Sequence, residues 1–120
     1  MNTAQIQQLE KIGVHYATAL ARFMDNEALL HRFLFQFPQD PNYSALVCAI
    51  QSGNINDAFR AAHTLKGITS MLSMDDLFAV LSEQSERLRT GDLSAAQALQ
   101  PEVDRLYTLT CQTLQQISQA

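Results

Sequence analysis

The sequence predicts an all-α protein that folds as an up-and-down antiparallel four-helix bundle with additional short helices at its N-terminus. Only four glycines and three prolines interrupt the 120 residues, and no run alternates apolar and polar residues as a half-buried strand does. Apolar residues instead recur at helical spacing between these interruptions. Because the connections are short, antiparallel neighbours are favoured. A chain of this length fits a single domain, residues 1–120.

Three helices are predicted in the N-terminal part of the chain. The first spans about Thr3–Lys11 and is interrupted at Gly13, and a short second segment spans about Val14–Phe23. Asp25 is the predicted N-cap of the third helix, whose first turn carries a carboxylate that the helix dipole favours. This helix should end before Pro38, because proline does not continue a helix.

The central part of the chain has clear signals for helix ends. Asp40 or Asn42 can cap the next helix, and Gly53 stands where a left-handed residue ends it. Asn54 faces Asp57 three residues later, which is a cap signal for the helix that follows.

Two further signals for the start of a helix lie in the C-terminal half of the chain. Ser73–Asp76 resembles a capping box before a periodic segment that ends at Gly91, and Ser94–Gln97 resembles another. Pro101 should break or kink the chain before a last helix. The apolar face of that helix is expected to carry Val103, Leu106, Thr110, Leu114 and Ile117.

Charge and cysteine content exclude several classes of function. The net charge is −4 with only eight Lys and Arg residues, which argues against a nucleic-acid binder. Cys48 and Cys111 stand apart in apolar surroundings, so buried thiols in a reducing compartment are expected and a metal or redox site is not. The chain shows neither a secretory signal nor a membrane-spanning run, so we expect a cytoplasmic protein without a membrane partner.

His63 lies away from the predicted core of its helix. At about 100° per residue, one face of this helix forms an apolar stripe, whose members are Ile55, Ala58, Ala62, Leu65, Thr69 and Leu72. The His63 ring lies roughly 130° from the centre of that stripe, in a column facing solvent with Asn56, Arg60, Gly67 and Ser70. This placement argues against a core histidine.

The neighbours of His63 suggest a phosphoryl acceptor. Lys66 follows within one turn, so its ammonium can lie beside the imidazole and neutralise an attached anion. Gly67 costs about 1 kcal/mol relative to alanine in a helix interior, and it clears space next to the ring. A neutral imidazole is a competent nucleophile near about pH 7, and phosphoryl transfer needs mainly positioning and charge neutralisation. The alternative is a surface histidine next to an ordinary helical glycine.

The segment AAHTLKG, with the pattern His-x-Leu-Lys-Gly, closely resembles the signature of histidine-phosphotransfer (HPt) domains of two-component phosphorelays. The similarity covers roughly residues 13–92. It includes LARFMDNEALLHRFLFQF as the preceding helix, AIQSGNINDAFRAAHTLKG as the turn and phosphorylation helix, and LFAVLSEQSERLRTGD as the helix packed behind.

The resemblance implies a four-helix bundle whose exposed His63 takes a phosphoryl group on Nε2 from a receiver-domain aspartyl phosphate and passes it to another receiver. Lys66 would neutralise the phosphoryl oxygens, and Gly67 would leave space for the receiver. Such domains are phosphocarriers without kinase activity and without a cofactor of their own, because the Mg²⁺ belongs to the receiver. The implied partners of this monomer are response-regulator receiver domains and a hybrid sensor histidine kinase.

Two regions depart from the family pattern. The turn ten residues after the histidine usually has a glycine and a small residue, whereas this chain has Ser73 and Met74. The position that in many members holds a Gln or Glu bonded to the imidazole Nδ1 falls at Ser85, with Gln84 adjacent. Because the Ser85 side chain is short for that reach, Gln84 or a water is expected to orient the ring instead.

The resemblance also predicts the surface that a receiver would cover. Its centre would be Phe59 as an apolar contact, and its other members are Arg60, His63, Lys66, Gly67 and Ser70, with neighbouring contacts from Gln84 and Ser85.

Rival interpretations concern the other histidines and the function of the site. His15 and His31 are interpreted as residues at helix boundaries and not as phosphoacceptors, because both lack the Lys/Gly pair. A metal site that uses all three histidines is not expected, because no two of them have the helical spacing of metal ligands. A pseudo-HPt adaptor would keep the fold and bind a receiver or kinase without carrying phosphate. Retention of His63, Lys66 and Gly67 together counts against that alternative.

Overall fold

The computed structural model describes residues 1–119, and helices are the only regular elements in this part of the chain. The α-helices, in chain order, are α1 (Thr3–Lys11), α2 (Tyr16–Arg22), α3 (Glu27–Gln36), α4 (Pro41–Ser52), α5 (Ile55–Met71), α6 (Asp75–Arg89) and α7 (Leu93–Ser118). A short 3₁₀ helix, Phe37–Gln39, joins α3 to α4. The all-α prediction is therefore confirmed for residues 1–119.

The four C-terminal helices supply most of the core, and the N-terminal helices add buried residues such as Leu9 and Leu30. Each of α4, α5 and α6 packs against the next helix in the chain, and α7 also packs back against α4. Each contributes a fully buried leucine, namely Leu46, Leu65, Leu81 and Leu114. The shorter helices α1 and α3 pack against α7. The outward face of α5 is consequently free of covering helices along much of its length, as the exposure of Asn56, Arg60, His63 and Gly67 shows.

Several predicted helix ends are confirmed. The Asp40 side chain accepts a hydrogen bond from the Asn42 backbone N–H (2.8 Å), and Gly53 ends α4 in the left-handed conformation with φ of 73°. The Asn54 side chain accepts from the Asp57 N–H (3.1 Å) at the start of α5. These ends depend on groups within three residues of one another, so the local sequence is sufficient to specify them.

The predicted start of α3 at Asp25 is wrong by one residue. Asn26 is the N-cap, and its side chain accepts a hydrogen bond from the Leu29 N–H (3.1 Å). Met24 and Asp25 instead both have positive φ, 54° and 61°, and form the turn between α2 and α3. Asp25 cannot act as the cap because the N-cap requires extended backbone, which a left-handed residue does not have.

The two predicted capping boxes in the C-terminal half are also wrong. Ser73 is buried in the left-handed conformation with φ of 53°, and its hydroxyl has no partner within the described residues. Met74 is the N-cap of α6, without a side-chain cap bond. For α7 the cap is Asp92, which accepts from the Ala95 N–H (3.1 Å), so Ser94 lies inside the helix.

Pro101 does not break the last helix. It lies inside α7, which continues from Leu93 to Ser118. Because proline has no backbone N–H, the Gln97 carbonyl loses its intrahelical hydrogen-bond donor. Pro101 and Gln97 are both exposed, so a water molecule can donate a hydrogen bond to that carbonyl. The predicted break is therefore wrong, whereas the predicted apolar face of this helix is buried as expected.

The prediction of two buried thiols is wrong for Cys48. Cys48 is exposed, whereas Cys111 is half-buried, and both are free. Cys48 borders an open groove between α4 and α5 that Asp57 and Arg60 also line. Its apolar sequence neighbours face the core while the cysteine itself faces this groove.

Candidate functional site

His63 lies on the exposed face of α5, midway along the helix. The opposite face of α5 is buried and consists mainly of small or apolar residues, namely Ala58, Ala61, Ala62, Leu65 and Thr69. The prediction that His63 lies outside the core stripe is confirmed by its exposure. Burial of the alanine-rich face brings α5 close to its neighbours and leaves the imidazole directed toward solvent.

Phe59 supports the imidazole from one side. The two rings are stacked, with centroids 5.6 Å apart and planes inclined by 24°. Phe59 itself is half-buried against the core. Within residues 1–119, no protein group forms a hydrogen bond with either ring nitrogen of His63. The ring is therefore held by its face, while its nitrogen atoms remain open to a reactant.

Gly67 leaves open space one turn beyond His63. A Cβ atom added at this glycine would meet nothing within 4 Å. Its backbone is helical, so neither a left-handed conformation nor close packing within the chain requires glycine here. The stability that glycine costs the helix, about 1 kcal/mol relative to alanine, has no compensation inside this molecule.

Lys66 supplies a positive charge beside the site. Its side chain is half-buried at the α5–α6 boundary, and within the described residues it forms no ion pair. The nearby Glu86 carboxylate is bound by Arg89, and this hydrogen bond is the main reason that the pKa of Glu86 is lowered. The charge of Lys66 lowers the pKa of Glu86 further. Because Arg89 already binds Glu86, the Lys66 ammonium is available to an incoming anion.

The remaining predicted contacts on α5 differ in accessibility. Arg60 is exposed, with its guanidinium 3.7 Å from the Asp57 carboxylate. Ser70 is half-buried, and its carbonyl accepts a hydrogen bond from the Arg22 guanidinium of α2 (2.8 Å). Sequence reasoning missed Arg22, because no local pattern signals a contact between residues 48 positions apart.

The two predicted contacts on α6 require correction. Gln84 and Ser85 are both buried, so neither side chain offers a surface to a partner. The Gln84 amide nitrogen donates to the Ala96 carbonyl (3.1 Å) and to Gln100 Oε1 (2.7 Å), which ties α6 to α7. Gln84 therefore does not orient the His63 ring, and no bond from Ser85 to that ring is present. We remove both residues from the docking surface.

The other two histidines are engaged elsewhere. His15 is the N-cap residue of α2, with Nδ1 2.8 Å from Glu10 Oε2 and Nε2 3.4 Å from Asp75 Oδ2. His31 lies inside α3, and its Nε2 is 2.6 Å from the Tyr16 hydroxyl. Both rings therefore have polar partners within the protein, unlike the His63 ring.

A family model of the Hpt domain matches residues 17–120 of this sequence. The chain belongs to the Hpt domain family. The match begins at the second residue of α2 and continues through α7, so it leaves α1 outside and includes all the site residues of α5. No match was found to a curated protein sequence or to a solved structure.

Membership of the Hpt family implies involvement in a phosphorelay, and domains of this family generally partner with receiver domains and kinases. No helix in residues 1–119 of the Hpt domain is both long and apolar enough to cross a membrane. In the same part of the chain, no group of three or more His, Cys, Asp or Glu side chains could hold a metal ion.

Proposed function

We propose that His63 is the phosphoacceptor of this Hpt domain, and that it takes a phosphoryl group from the aspartyl phosphate of one receiver and passes it to another. The observation that carries this proposal is the open space over Gly67, one turn from an exposed imidazole. This glycine weakens its own helix. Because an added Cβ atom would meet nothing within 4 Å, the space over it can accommodate the active site of a partner.

The proposed transfer needs an open ring nitrogen and a cation. The lone pair of His63 Nε2 attacks phosphorus, and the bond between phosphorus and the aspartate oxygen breaks. Its electron pair returns to the aspartate as a carboxylate, and a P–N bond joins the phosphoryl group to the imidazole. Phe59 limits rotation of the ring through stacking. Lys66 offsets the charge of the phosphoryl oxygens.

Phosphoryl transfer from His63 to a second receiver is the reverse of the same reaction. The domain accordingly requires no cofactor, and the Mg²⁺ used in transfer is held by the carboxylates of the receiver. We further infer that α4 to α7 form an up-and-down antiparallel four-helix bundle, since short turns join helices that pack on one another. The proposed relay uses a monomer of this domain in the cytoplasm, with response-regulator receivers and a hybrid sensor histidine kinase.

The proposal is tested by incubating the protein with receiver domains of the source organism that carry a radioactive aspartyl phosphate. We expect a labelled adduct that is stable in alkali and labile in acid, as a phosphohistidine is. The label should be absent in His63→Gln and present in the matched variant His15→Gln. Label that persists in His63→Gln would show that another residue is the acceptor.

The alternative function is a pseudo-HPt adaptor that binds a receiver or kinase without carrying phosphate. It predicts a complex with a receiver that forms equally well with wild type and with His63→Gln, and no label in either. Retention of His63, Lys66 and Gly67 in one accessible group favours the carrier.

A further inference from the structure

An ion pair on α6 lies outside the proposed transfer but close to its cation. Arg89, the last residue of α6, donates two hydrogen bonds to the Glu86 carboxylate, from Nε to Oε2 (2.9 Å) and from Nη2 to Oε1. Both side chains are exposed. The position of this pair relative to Lys66 decides whether it affects the proposed site.

The geometry of α5 directs Lys66 toward α6. At about 100° per residue, Arg60 and Lys66 lie about 60° to opposite sides of His63 around the helix. Arg60 borders the groove between α4 and α5, so α4 lies on that side of His63. Lys66 therefore faces α6, the other helix that packs along α5, and it is half-buried at this boundary.

Glu86 approaches Lys66 from α6. Only residues 72–74 join α5 to α6, and the two helices pack on each other, so they run antiparallel. The Lys66 and Glu86 backbones differ by about 9 Å in height along this pair, and each side chain tilts toward the N-terminus of its own helix and so toward the other. The pKa of Glu86 is lowered mainly by the hydrogen bond from Arg89 and further by the charge of Lys66.

Geometry decides which cation holds this carboxylate. The planar guanidinium of an arginine donates two parallel hydrogen bonds to a carboxylate, and a partner three residues away on the same helix needs little ordering. A lysine on another helix is a single charged group on a flexible stem and loses more freedom when it pairs. Glu86 accordingly pairs with Arg89, and within residues 1–119 Lys66 forms no ion pair.

We propose that Arg89 is a positioning residue of the relay: its hold on Glu86 keeps the Lys66 ammonium free for a phosphoryl group. This inference rests on the proposed function of His63. Without Arg89, the Glu86 carboxylate would pair with Lys66 and offset its charge. The same carboxylate would add a negative charge beside the incoming phosphoryl oxygens.

The test removes the guanidinium and measures phosphoryl transfer from two donors. Phosphoramidate is a small donor that needs no docking: the His63 Nε2 lone pair attacks phosphorus, the P–N bond of the donor breaks and ammonia leaves. The second donor is the receiver that labels wild type fastest. Arg89→Gln should slow labelling about threefold with both donors, because an exposed ion pair has a modest effect. Arg89→Gln/Glu86→Gln should return to the wild-type rate, because the released carboxylate is also removed.

Two control variants remove an arginine without releasing Glu86. Arg87→Gln removes another exposed guanidinium from α6, two residues from Arg89. Arg105→Gln breaks the matched pair on α7, in which Arg105 donates two hydrogen bonds to the Glu102 carboxylate. Both controls should be labelled by phosphoramidate at the wild-type rate. Slowing of either control to the extent of Arg89→Gln would show a general effect of charge and overturn the inference.

A titration of Glu86 measures the pairing without any phosphoryl transfer. Carbon-13 NMR of the side-chain carboxyl groups follows Glu86 in wild type and in the variants. If Lys66 replaces the lost arginine, the pKa of Glu86 remains below its ordinary value in Arg89→Gln and rises toward that value when Lys66→Ala is added. A pKa of Glu86 that returns to its ordinary value in Arg89→Gln alone would overturn the exchange of partners.

The outcomes separate this inference from the proposed function. Failure of every receiver to label wild type would overturn the proposed function and the role of Arg89 together. Labelled wild type and an unchanged rate in Arg89→Gln would overturn only the role of Arg89 and leave His63 as the acceptor. A slow Arg89→Gln variant that Glu86→Gln does not restore would overturn the route through Glu86, since the arginine would then act on the phosphoryl group directly.

Discussion

Gly67 is the residue at which helix stability and the proposed function make opposite demands. An interior glycine weakens a helix because its backbone is freer in the unfolded chain. The glycine cannot be explained by crowding, since an added Cβ would meet nothing within 4 Å. Under the proposed function, the reason for this glycine is a partner that approaches His63 closely.

This reasoning predicts opposite effects for two substitutions of Gly67. Gly67→Ala should raise the free energy of unfolding by up to about 1 kcal/mol, measured by urea denaturation, because alanine is the better helix former. Gly67→Glu should keep its helical circular dichroism spectrum but slow transfer, because the longer acidic side chain occupies the space and repels the phosphoryl group. Ala98→Glu on α7 adds the same charge at another exposed helical position and should transfer normally. Normal transfer in Gly67→Glu would show that the space is not used.

At the scale of elements, the sequence predicts a helix end correctly when its determinants are local. The start of α5 needs only Asn54 and the N–H of Asp57, and the end of α4 needs only a glycine that tolerates positive φ. The start of α6 could not be found in this way. The backbone of Ser73 is fixed by a hydrogen bond from the His15 N–H (2.9 Å), a residue on another element, so its capping potential is overridden.

The same limit applies to the candidate site. The helical period alone places His63, Lys66 and Gly67 on an accessible face of α5, as the structure also has them. The burial of Gln84 depends on its partners Ala96 and Gln100 on α7, and the contact of Ser70 with Arg22 depends on how α2 packs. Neither contact leaves a periodic signal in one sequence, so the surroundings of the candidate site are less predictable from sequence than the exposure of His63.

Pro101 gives a prediction at the scale of one helix. Proline in a helix interior costs about 3 kcal/mol because it removes a hydrogen bond and crowds the preceding turn. Pro101→Ala restores an N–H that can donate to the Gln97 carbonyl, so it should raise the free energy of unfolding by up to about 3 kcal/mol. Urea denaturation measures the change, and Thr108→Ala on an exposed position of α7 reports the smaller effect of helix propensity alone. A stability equal to wild type would mean that α7 is already relaxed around the proline.

At the scale of the whole molecule, the turn between α1 and α2 is fastened to the start of α6. The Asp75 N–H donates to the Gly13 carbonyl (2.8 Å), and a Cβ atom at Gly13 would collide with the Asp76 carboxylate. The His15 ring adds contacts to Glu10 of α1 and to Asp75 of α6. This attachment joins α1, which lies outside the matched Hpt region, to α6, which packs beside α5.

The two engaged histidines should make stability depend on pH in opposite directions. The hydrogen bond to Glu10 is the main reason that the pKa of His15 is raised above 6.5, and the charges of Glu10, Asp75 and Asp76 raise it further, against a smaller opposing effect of burial. Burial is the main reason that the pKa of His31 is lowered below 6.5, and the N-terminal ammonium lowers it further. Protonation therefore stabilises the fold at His15 and destabilises it at His31.

The sign of the His15 effect follows from its raised pKa. Its stabilising contribution is fully present below the unfolded pKa of 6.5 and is lost as pH rises through the higher folded pKa. His15→Gln should therefore lower the free energy of unfolding more at about pH 6 than at about pH 8.5, measured by urea denaturation at both values. The stabilising contribution of His31 is present above its unfolded pKa of 6.5 and is lost as pH falls through its lower folded pKa. His31→Gln should therefore reduce the loss of unfolding free energy that occurs as the pH falls below about 6.5. An equal loss of stability at both pH values in His15→Gln would mean that the ring contributes only uncharged contacts, and the attachment of α1 would then be independent of pH.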